Sequence, residues 1–242
     1  MIYMTPARSS ILSIAILICL IIAAGCSSIA GPTQQHTVQV TQPPVQATQP
    51  YTPVSYDATH IQYAQVNGVT LAYREFGSGE PLLMITGFGN TMKDWNPTFI
   101  GILATKYHVY IYDPRGMGSS SDDNTITPSM SQYADDAASL MTALGQDSMN
   151  VYGASMGSSV SQQLVIDHPE RVRKLIRDSN SDGVRSPETK KLLGMIKAAA
   201  DSPATPQGTR KEAQAILASN GSWDTFPAST RMSCSLSEPV MT

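Results

Sequence analysis

Residues 149–158 read Met-Asn-Val-Tyr-Gly-Ala-Ser-Met-Gly-Ser, and the local organisation of the chain is clearest here. Apolar residues over 149–152 predict a short buried strand, and the pattern over 158–168 predicts a helix. The residues between them, Gly153 to Gly157, fit the pattern G-x-S-x-G at a strand-to-helix turn. Such a turn presents the hydroxyl of Ser155 at the end of the strand, and glycines on both sides keep side chains away from neighbouring backbone. The amides that begin the helix favour negative charge at the same place.

Strands alternate with helices on both sides of this turn. Asn67-Gly68 separates two alternating segments and is a strong hairpin signal, whereas continuous apolar runs elsewhere are typical of strands buried on both faces. The alternation predicts an α/β fold with a mainly parallel sheet covered by helices on both faces. The predicted strands are 61–66, 69–73, 81–86, 108–112, 149–152 and 172–176, and the predicted helices before residue 186 are 131–144 and 158–168.

Three further motifs accompany the Ser155 turn. Gly87-Phe88-Gly89 follows an apolar strand, residues 113–120 read Asp-Pro-Arg-Gly-Met-Gly-Ser-Ser, and residues 169–172 read Pro-Glu-Arg-Val. In their order and approximate spacing these motifs make residues 61–225 resemble the α/β-hydrolase superfamily, in the branch of esterases, haloperoxidases and iminopeptidases. The resemblance implies the α/β-hydrolase fold.

The resemblance also implies roles for the matching positions. Ser155 would be the nucleophile, in an elbow flanked by Gly153 and Gly157. The backbone N–H groups of Phe88 and Met156 would form the oxyanion hole. The implied reaction is hydrolysis of an ester or related acyl bond in a small molecule, without a cofactor. A plain turn serine is the alternative interpretation of Ser155.

Other matching positions are expected to be structural. Asp113 and Arg115 would hold their own loop in place rather than react. Trp95 would pack against the core or line the acyl pocket. Thr86 stands where the family usually has a histidine.

The general base that a serine nucleophile needs is not evident in the sequence. In this fold the acid and then the histidine follow the serine, yet the only histidine after Ser155 is His168. His168 ends the helix that Ser155 begins, which places it roughly 18–20 Å away. Asp178 and Asp182 follow a strand where some family members carry the acid. The remaining histidines, none of them at a position expected to serve, are His36, His60 and His108.

Two function classes therefore stay open. The first is a serine hydrolase that is impaired or inactive in this form, and the second is a non-catalytic, surface-anchored relative that binds rather than reacts. The predicted organisation is a hydrolase core over 59–185, a partial helical cap over 186–225 with helices at 187–200 and 208–219, and an anomalous tail over 226–242. We expect the last two strands of the family's sheet to be missing and the tail to be a shifted reading frame of the absent segment.

The first residues predict an exported protein. An apolar run over 11–25 is short for a membrane span and ends in Ala-Ala-Gly before Cys26, which resembles a prokaryotic lipobox. We expect residues 1–26 to be a signal peptide, Cys26 to be lipidated, and the domain to be held at the outer face of the cell membrane. An ordinary signal peptide with secretion, or a short membrane anchor, are the alternatives. Residues 27–58, rich in Gln, Thr and Pro, predict a disordered spacer.

Composition excludes several other classes. Sixteen Lys and Arg against 19 Asp and Glu give a formal net charge of -3, which offers no basic surface for nucleic acid. Three cysteines cannot build a disulfide framework. The sequence shows no metal-ligand spacing, so no metal is expected.

Overall fold

A six-stranded mixed sheet forms the centre of the computed structural model, which describes residues 52–178 and 187–219. The strand order is β1-β2-β4-β3-β5-β6. The pairs β1–β2 and β2–β4 are antiparallel, and the other three pairs are parallel. The strands are β1 Gln62–Val66, β2 Val69–Phe76, β3 Glu80–Ile85, β4 Tyr107–Tyr112, β5 Met149–Ala154 and β6 Val172–Asp178.

The hairpin between β1 and β2 has the geometry that its two turn residues predict. Asn67 and Gly68 both adopt positive φ values, 42° and 80°, as the two central residues of a type I′ turn require. The central strand β3 is buried over Leu82–Ile85 on both faces, because its neighbours β4 and β5 run parallel to it with helices above and below. All six predicted strands are therefore present, with ends that differ by up to three residues.

Five helices accompany the sheet in the described ranges. The sequence patterns predicted four of them but not α1, which is short and apolar on most sides. Asn96 caps α1 by accepting hydrogen bonds from the amides of Thr98 and Phe99. The helices are α1 Pro97–Ala104, α2 Met130–Ala143, α3 Met156–Asp167, α4 Pro187–Asp201 and α5 Gln207–Ala218.

The core has two apolar clusters, one on each face of the sheet. Leu83 and Ile85 of β3 pack with α2 and α3, whereas the alternate residues Leu82 and Met84 pack with α1. Helix α5 joins the first cluster through Ala215. The predicted mainly parallel sheet with helices on both faces is confirmed.

Residues 52–58 pack on the domain although their composition resembles the preceding spacer. The amide of Val54 donates to the carbonyl of Pro97 at 3.1 Å, and the hydroxyl of Tyr56 donates to the carbonyl of Trp95 at 2.7 Å. Tyr56 also packs edge-on against Phe76. The ordered domain thus includes residues before the predicted boundary at 59, because one aromatic side chain supplies the contact area that a Gln/Thr/Pro segment lacks.

Several predictions fall outside the described residues. They concern the signal peptide with Cys26, His36, most of the spacer, Asp182 and the tail over 226–242. In the described ranges, no helix combines the length and apolar character that crossing a membrane requires.

Candidate active site

Ser155 lies at a strained turn between β5 and α3. Its backbone has φ 52° and ψ -117°, a conformation that non-glycine residues rarely adopt. Such a conformation costs about 1–3 kcal/mol and persists only where surrounding contacts impose it. Two hydrogen bonds do so here, because the Ser155 amide donates to the carbonyl of Asp178 at 2.8 Å and its carbonyl accepts from the amide of Ser158 at 2.9 Å. The side chain of Ser155 is exposed.

The two flanking glycines are required by close backbone packing. A Cβ atom at Gly157 would lie 2.1 Å from the carbonyl oxygen of Ile85, and one at Gly153 would lie 2.3 Å from that of Gly157. Carbon and oxygen atoms cannot approach so closely, so neither position accepts a side chain without moving backbone. The glycines let the start of α3 press against the end of β3.

The segment Gly87-Phe88-Gly89 leaves the end of β3 and passes directly beside Ser155. A Cβ atom built on Gly87 would lie 3.3 Å from the Cβ of Ser155. Among the described residues, the amides of Phe88 and Met156 have no hydrogen-bond acceptor. Met156 begins α3, where the first amides of a helix lack intrahelical partners. Both amides are therefore available to bind an oxyanion. We call residues 87–89 the oxyanion loop, after the role that the family resemblance implies for them.

Asp113 holds the loop that follows β4. Its carboxylate is buried and accepts hydrogen bonds from the amides of Met92 and Ser119, both at 2.7 Å. Gly118 has φ 51°, and a Cβ there would meet the Asp113 carboxylate at 2.1 Å. Burial raises the pKa of Asp113, and the two amide hydrogen bonds oppose that rise. Asp113 acts on this loop and makes none of its hydrogen bonds to Ser155.

Arg115 fastens the same loop to α2. Its guanidinium donates to both carboxylate oxygens of Asp136, with N–O distances of 2.5 and 2.6 Å, and both side chains are almost fully buried. Burial alone would lower the pKa of Arg115, but the hydrogen bonds and charge of Asp136 outweigh it and raise the pKa. The contact is structural, as expected for this position.

A small cavity of about 40 Å³ lies beside the Ser155 turn. Trp95 both lines this cavity and packs edge-on against Tyr152, with ring centroids 5.7 Å apart. The packing role and the pocket-lining role considered for Trp95 are thus compatible. The lining residues are Thr86, Gly87, Asn90, Thr91, Asp94, Trp95 and Ala154.

The described histidines are engaged away from Ser155. His168 Nε2 lies 2.7 Å from Asp135 Oδ1, and His108 Nε2 lies 2.8 Å from Glu75 Oε2. His60 is exposed before β1. Within the described ranges no hydrogen bond joins a histidine to Ser155.

Asp178 is the acidic side chain nearest to this site along β6. It pairs with Ala154 in the β5–β6 register, and its carboxylate accepts a hydrogen bond from the Tyr152 hydroxyl at 2.7 Å. Burial and then that carboxylate raise the pKa of Tyr152. Asp178, one of the two predicted acid candidates, is thus joined to the Ser155 turn by backbone pairing.

Glu212 of α5 is a site residue that the sequence analysis missed. Its side chain is fully buried, and Oε2 accepts a hydrogen bond from the Gly89 amide at 2.7 Å. Burial raises the pKa of Glu212 to about 8, opposed only by the Gly89 hydrogen bond. A charged residue in an amphipathic cap helix predicts solvent exposure, so no local pattern pointed to this contact.

The described residues hold no group of three or more His, Cys, Asp or Glu side chains that could bind a metal ion.

Comparison with known proteins identifies the family. Residues 80–220 match the family described as alpha/beta hydrolase fold. This match covers more than half of the chain and includes the oxyanion loop, the loop after β4 and the Ser155 turn. The chain belongs to the alpha/beta hydrolase fold family.

Two curated proteins match shorter segments of the chain. A protein named "Putative carbamate hydrolase RutD" from Azorhizobium caulinodans is 35% identical over 116 residues, which are 48% of this chain and 43% of that protein. The dihydrolipoyllysine-residue acetyltransferase component of the acetoin cleaving system of Cupriavidus necator is 36% identical over 116 residues, 48% of this chain and 30% of that protein. The matched segment spans less than half the length of these curated relatives.

Solved structures of alpha/beta hydrolases share the fold. An alpha/beta hydrolase fold protein from Chitinophaga pinensis superposes with a TM-score of 0.52 at 30% identity, covering 59% of this chain and 51% of that one. The expected fold class is confirmed, including the mixed, mostly parallel sheet with helices on both sides.

Proposed function

We propose that this protein is a serine hydrolase of the alpha/beta hydrolase fold family that acts on an ester or related acyl bond through Ser155. The observation that carries the proposal is the backbone of Ser155, at φ 52° and ψ -117° between β5 and α3. A strained serine at this turn, beside two unpartnered amides, is the arrangement that acyl transfer requires.

In the proposed reaction the Ser155 Oγ attacks the acyl carbonyl carbon. The Oγ–C bond forms, the carbonyl π pair moves to oxygen, and the amides of Phe88 and Met156 donate hydrogen bonds to that oxyanion. The carbonyl then re-forms as the bond to the leaving group breaks, and the leaving group takes up the proton that the Ser155 hydroxyl released. Water attacks the acyl-enzyme, releases the carboxylic acid and returns a proton to the Ser155 Oγ. Removing one such donor typically lowers kcat by about 100- to 1,000-fold.

The proton of the Ser155 hydroxyl needs an acceptor, and the described histidines do not supply one. His168 and His108 are each held by a carboxylate elsewhere. We therefore expect the 242-residue chain to react slowly, with catalytic competence depending on a base brought to Ser155.

A fluorophosphonate probe tests the nucleophile with and without a base. The Ser155 Oγ displaces fluoride from phosphorus, and its proton passes to solvent or to added imidazole. We expect little labelling of the chain alone, faster labelling with imidazole, an adduct on Ser155 by peptide mass spectrometry, and none in Ser155→Ala. Labelling that imidazole does not accelerate, or that persists in Ser155→Ala, would contradict the proposal.

A Ser155→Cys variant tests the turn without a base. A thiol at a helix N-terminus ionises more readily than a free cysteine, so iodoacetamide should alkylate the new thiol faster than it alkylates glutathione. Cys19, Cys26 and Cys234 are replaced by serine in the variant and in its Ser155 control. A rate equal to that of glutathione would mean that the turn does not activate its side chain.

A non-catalytic, surface-anchored binding protein is the second candidate. The pairing of His168 with Asp135 and of His108 with Glu75 favours it, because neither histidine is available to a nucleophile. Failure of imidazole to promote labelling, together with ordinary reactivity of Ser155→Cys, would support this candidate over the first.

We further propose that the protein is exported and lipid-anchored through Cys26 at the outer face of the membrane. Ala-Ala-Gly before Cys26 and the preceding apolar run support this location. Radiolabelled palmitate should be incorporated by the full chain expressed in bacteria and not by Cys26→Ala, which should leave the membrane fraction. Palmitate-free protein in the membrane fraction would favour a short membrane anchor instead.

A further inference from the structure

Glu212 connects helix α5 to the oxyanion loop. Its Oε2 accepts the hydrogen bond of the Gly89 amide at 2.7 Å, across a sequence separation of 123 residues. Its Oε1 is buried and has no hydrogen-bond partner among the described residues. The carboxyl group thus makes one directed contact, and that contact is with the residue next to Phe88.

The packing around this contact is tight and specific. Gly208 of α5 lies against the carbonyl of Gly116, where a Cβ would come within 2.1 Å of the oxygen, and Thr209 lies beside Gly89. Phe88 packs with Ala213 and other residues of α4 and α5. Helix α5 therefore has little freedom to slide, and Glu212 remains at a defined position against the loop.

The charged side chains that act on Tyr133 together with Glu212 are paired, with one another or with Lys211. Lys211 bonds to Asp122 at 2.6 Å, and Arg115 bonds to Asp136. The titratable groups whose charge couples to Glu212 are the hydroxyls of Tyr112 and Tyr133, which stay neutral because burial raises both pKa values. No cation in the described ranges compensates a charge on Glu212.

An ionised Glu212 would also oppose the proposed chemistry. An oxyanion bound by the Phe88 amide would lie near a carboxylate of the same sign, and like charges in a desolvated site repel strongly. A neutral carboxyl accepts the same Gly89 hydrogen bond without that repulsion. Burial raises the pKa of Glu212 enough to keep its carboxyl group neutral near pH 7.

We propose that Glu212 is a positioning residue that holds the Gly89 peptide and so keeps the Phe88 amide directed toward Ser155. The role rests on the proposed function, in which that amide stabilises the oxyanion. An ionised Glu212 would keep the Gly89 hydrogen bond but would place a like charge near the oxyanion and so weaken its stabilisation.

A pH titration of backbone amides by NMR tests the positioning directly, on the full chain and without any activity. We expect the Gly89 and Phe88 amide signals to move together with a midpoint near pH 8. In Glu212→Gln, which keeps an acceptor oxygen but cannot ionise, both signals should be flat across that range. Glu170→Gln, the same change at an exposed site, is the matched control and should titrate like the parent chain. Movement of Gly89 without Phe88, or of neither, overturns the proposal.

Imidazole-promoted fluorophosphonate labelling of Ser155 reports whether the positioning affects reactivity. The labelling rate of Glu212→Gln, divided by that of the parent chain, should be close to one below neutral pH and about ten in alkaline solution. This effect is smaller than the roughly 100- to 1,000-fold loss of kcat that follows removal of one oxyanion-hole donor. A purely structural role would shift thermal stability but leave this ratio constant, so a constant ratio overturns the proposal. If the parent chain is not labelled under any condition, the proposed function fails, and the two amide titrations alone decide the role of Glu212.

Discussion

The backbone of Ser155 depends on residues that have no side chain. At Gly157 the nearest backbone oxygen lies 2.1 Å from a hypothetical Cβ, and the residue sits where α3 meets β3. A side chain at Gly157 could be accommodated only if α3 moved away from β3. Gly157 therefore affects both the geometry of the Ser155 turn and the stability of the core.

Gly157→Ala should destabilise the protein, whereas Gly194→Ala should not. Overpacking a tight site costs about 1–3 kcal/mol, and we expect the upper end at Gly157 because the opposing atoms are backbone. Gly194 lies in exposed helix α4, where a Cβ atom would meet nothing within 4 Å, so alanine there should raise the free energy of unfolding by about 0.5–1 kcal/mol. Urea denaturation followed by circular dichroism measures both changes, and equal effects at the two positions would refute the packing argument.

Individual residues differ in how far the sequence predicts them. Ser155, Gly153 and Gly157 form a contiguous pattern whose steric reason is local, so their arrangement could be anticipated. Glu212 could not, because its partner is the amide of Gly89, which is distant in sequence and carries no side-chain signal. Its burial arises from the packing of α5 and not from the helix pattern.

Among the elements, the loop after β4 is held by its own side chains more than by regular structure. Asp113 bonds to the amides of Met92 and Ser119, and Arg115 crosses to Asp136 in α2. The side chains of Arg115 and Asp136 are both buried, so removing one leaves the other uncompensated. The loop in turn supports α5 through the contact of Gly116 with Gly208.

Arg115→Met should cost about 3–5 kcal/mol of unfolding free energy, because it removes the only cation paired with the buried Asp136 among the described residues. Asp136 would keep only the hydrogen bonds that Asn67 and Gln132 donate. Lys197→Met is the matched control, since Lys197 pairs with Asp201 at 3.0 Å on the exposed surface of α4. That pair should contribute no more than about 0.5 kcal/mol. Similar losses in the two variants, measured by chemical denaturation at constant pH, would show that the Asp136 contact is not a buried ion pair in solution.

Most elements were predictable from an apolar run, a period or a turn signal, but one short helix was not. Strands β3 and β4 follow from runs of buried apolar residues, and the β1–β2 hairpin follows from Asn67-Gly68. Helix α1 was missed because its eight residues are largely apolar and give no amphipathic period. Only Asn96 and Pro97 mark its start, and this short capping signal does not by itself predict a helix.

For the molecule as a whole, burial of Glu212 makes stability depend on pH. The folded state keeps this proton up to about pH 8, whereas an unfolded chain releases it near the ordinary value of 4.5. Between those values the folded state binds more protons, so the free energy of unfolding decreases as pH rises. Burial raises the pKa of Asp113 in the same direction.

Urea titrations at about pH 5.5 and about pH 8.5 should show this loss of stability in the parent chain. Glu212→Gln should lose much less, because the amide has no proton to release. Glu170→Gln should behave like the parent chain. An equal decrease in Glu212→Gln and in the parent would assign the pH dependence to other groups.

The hydrogen bond from the Ser155 amide to the Asp178 carbonyl has a consequence for how the chain folds during synthesis. The Ser155 turn is held by the carbonyl of the last residue of β6. Strand β5 also pairs in parallel with β3 on its other side. Pairings so distant in sequence form slowly, since loop closure precedes any gain from the contact. While the Ser155 turn has left the ribosome but β6 has not, the nascent chain lacks the Asp178 carbonyl that accepts the Ser155 amide hydrogen bond. The reactive conformation of Ser155 should thus appear late, after β6 has emerged and joined the sheet.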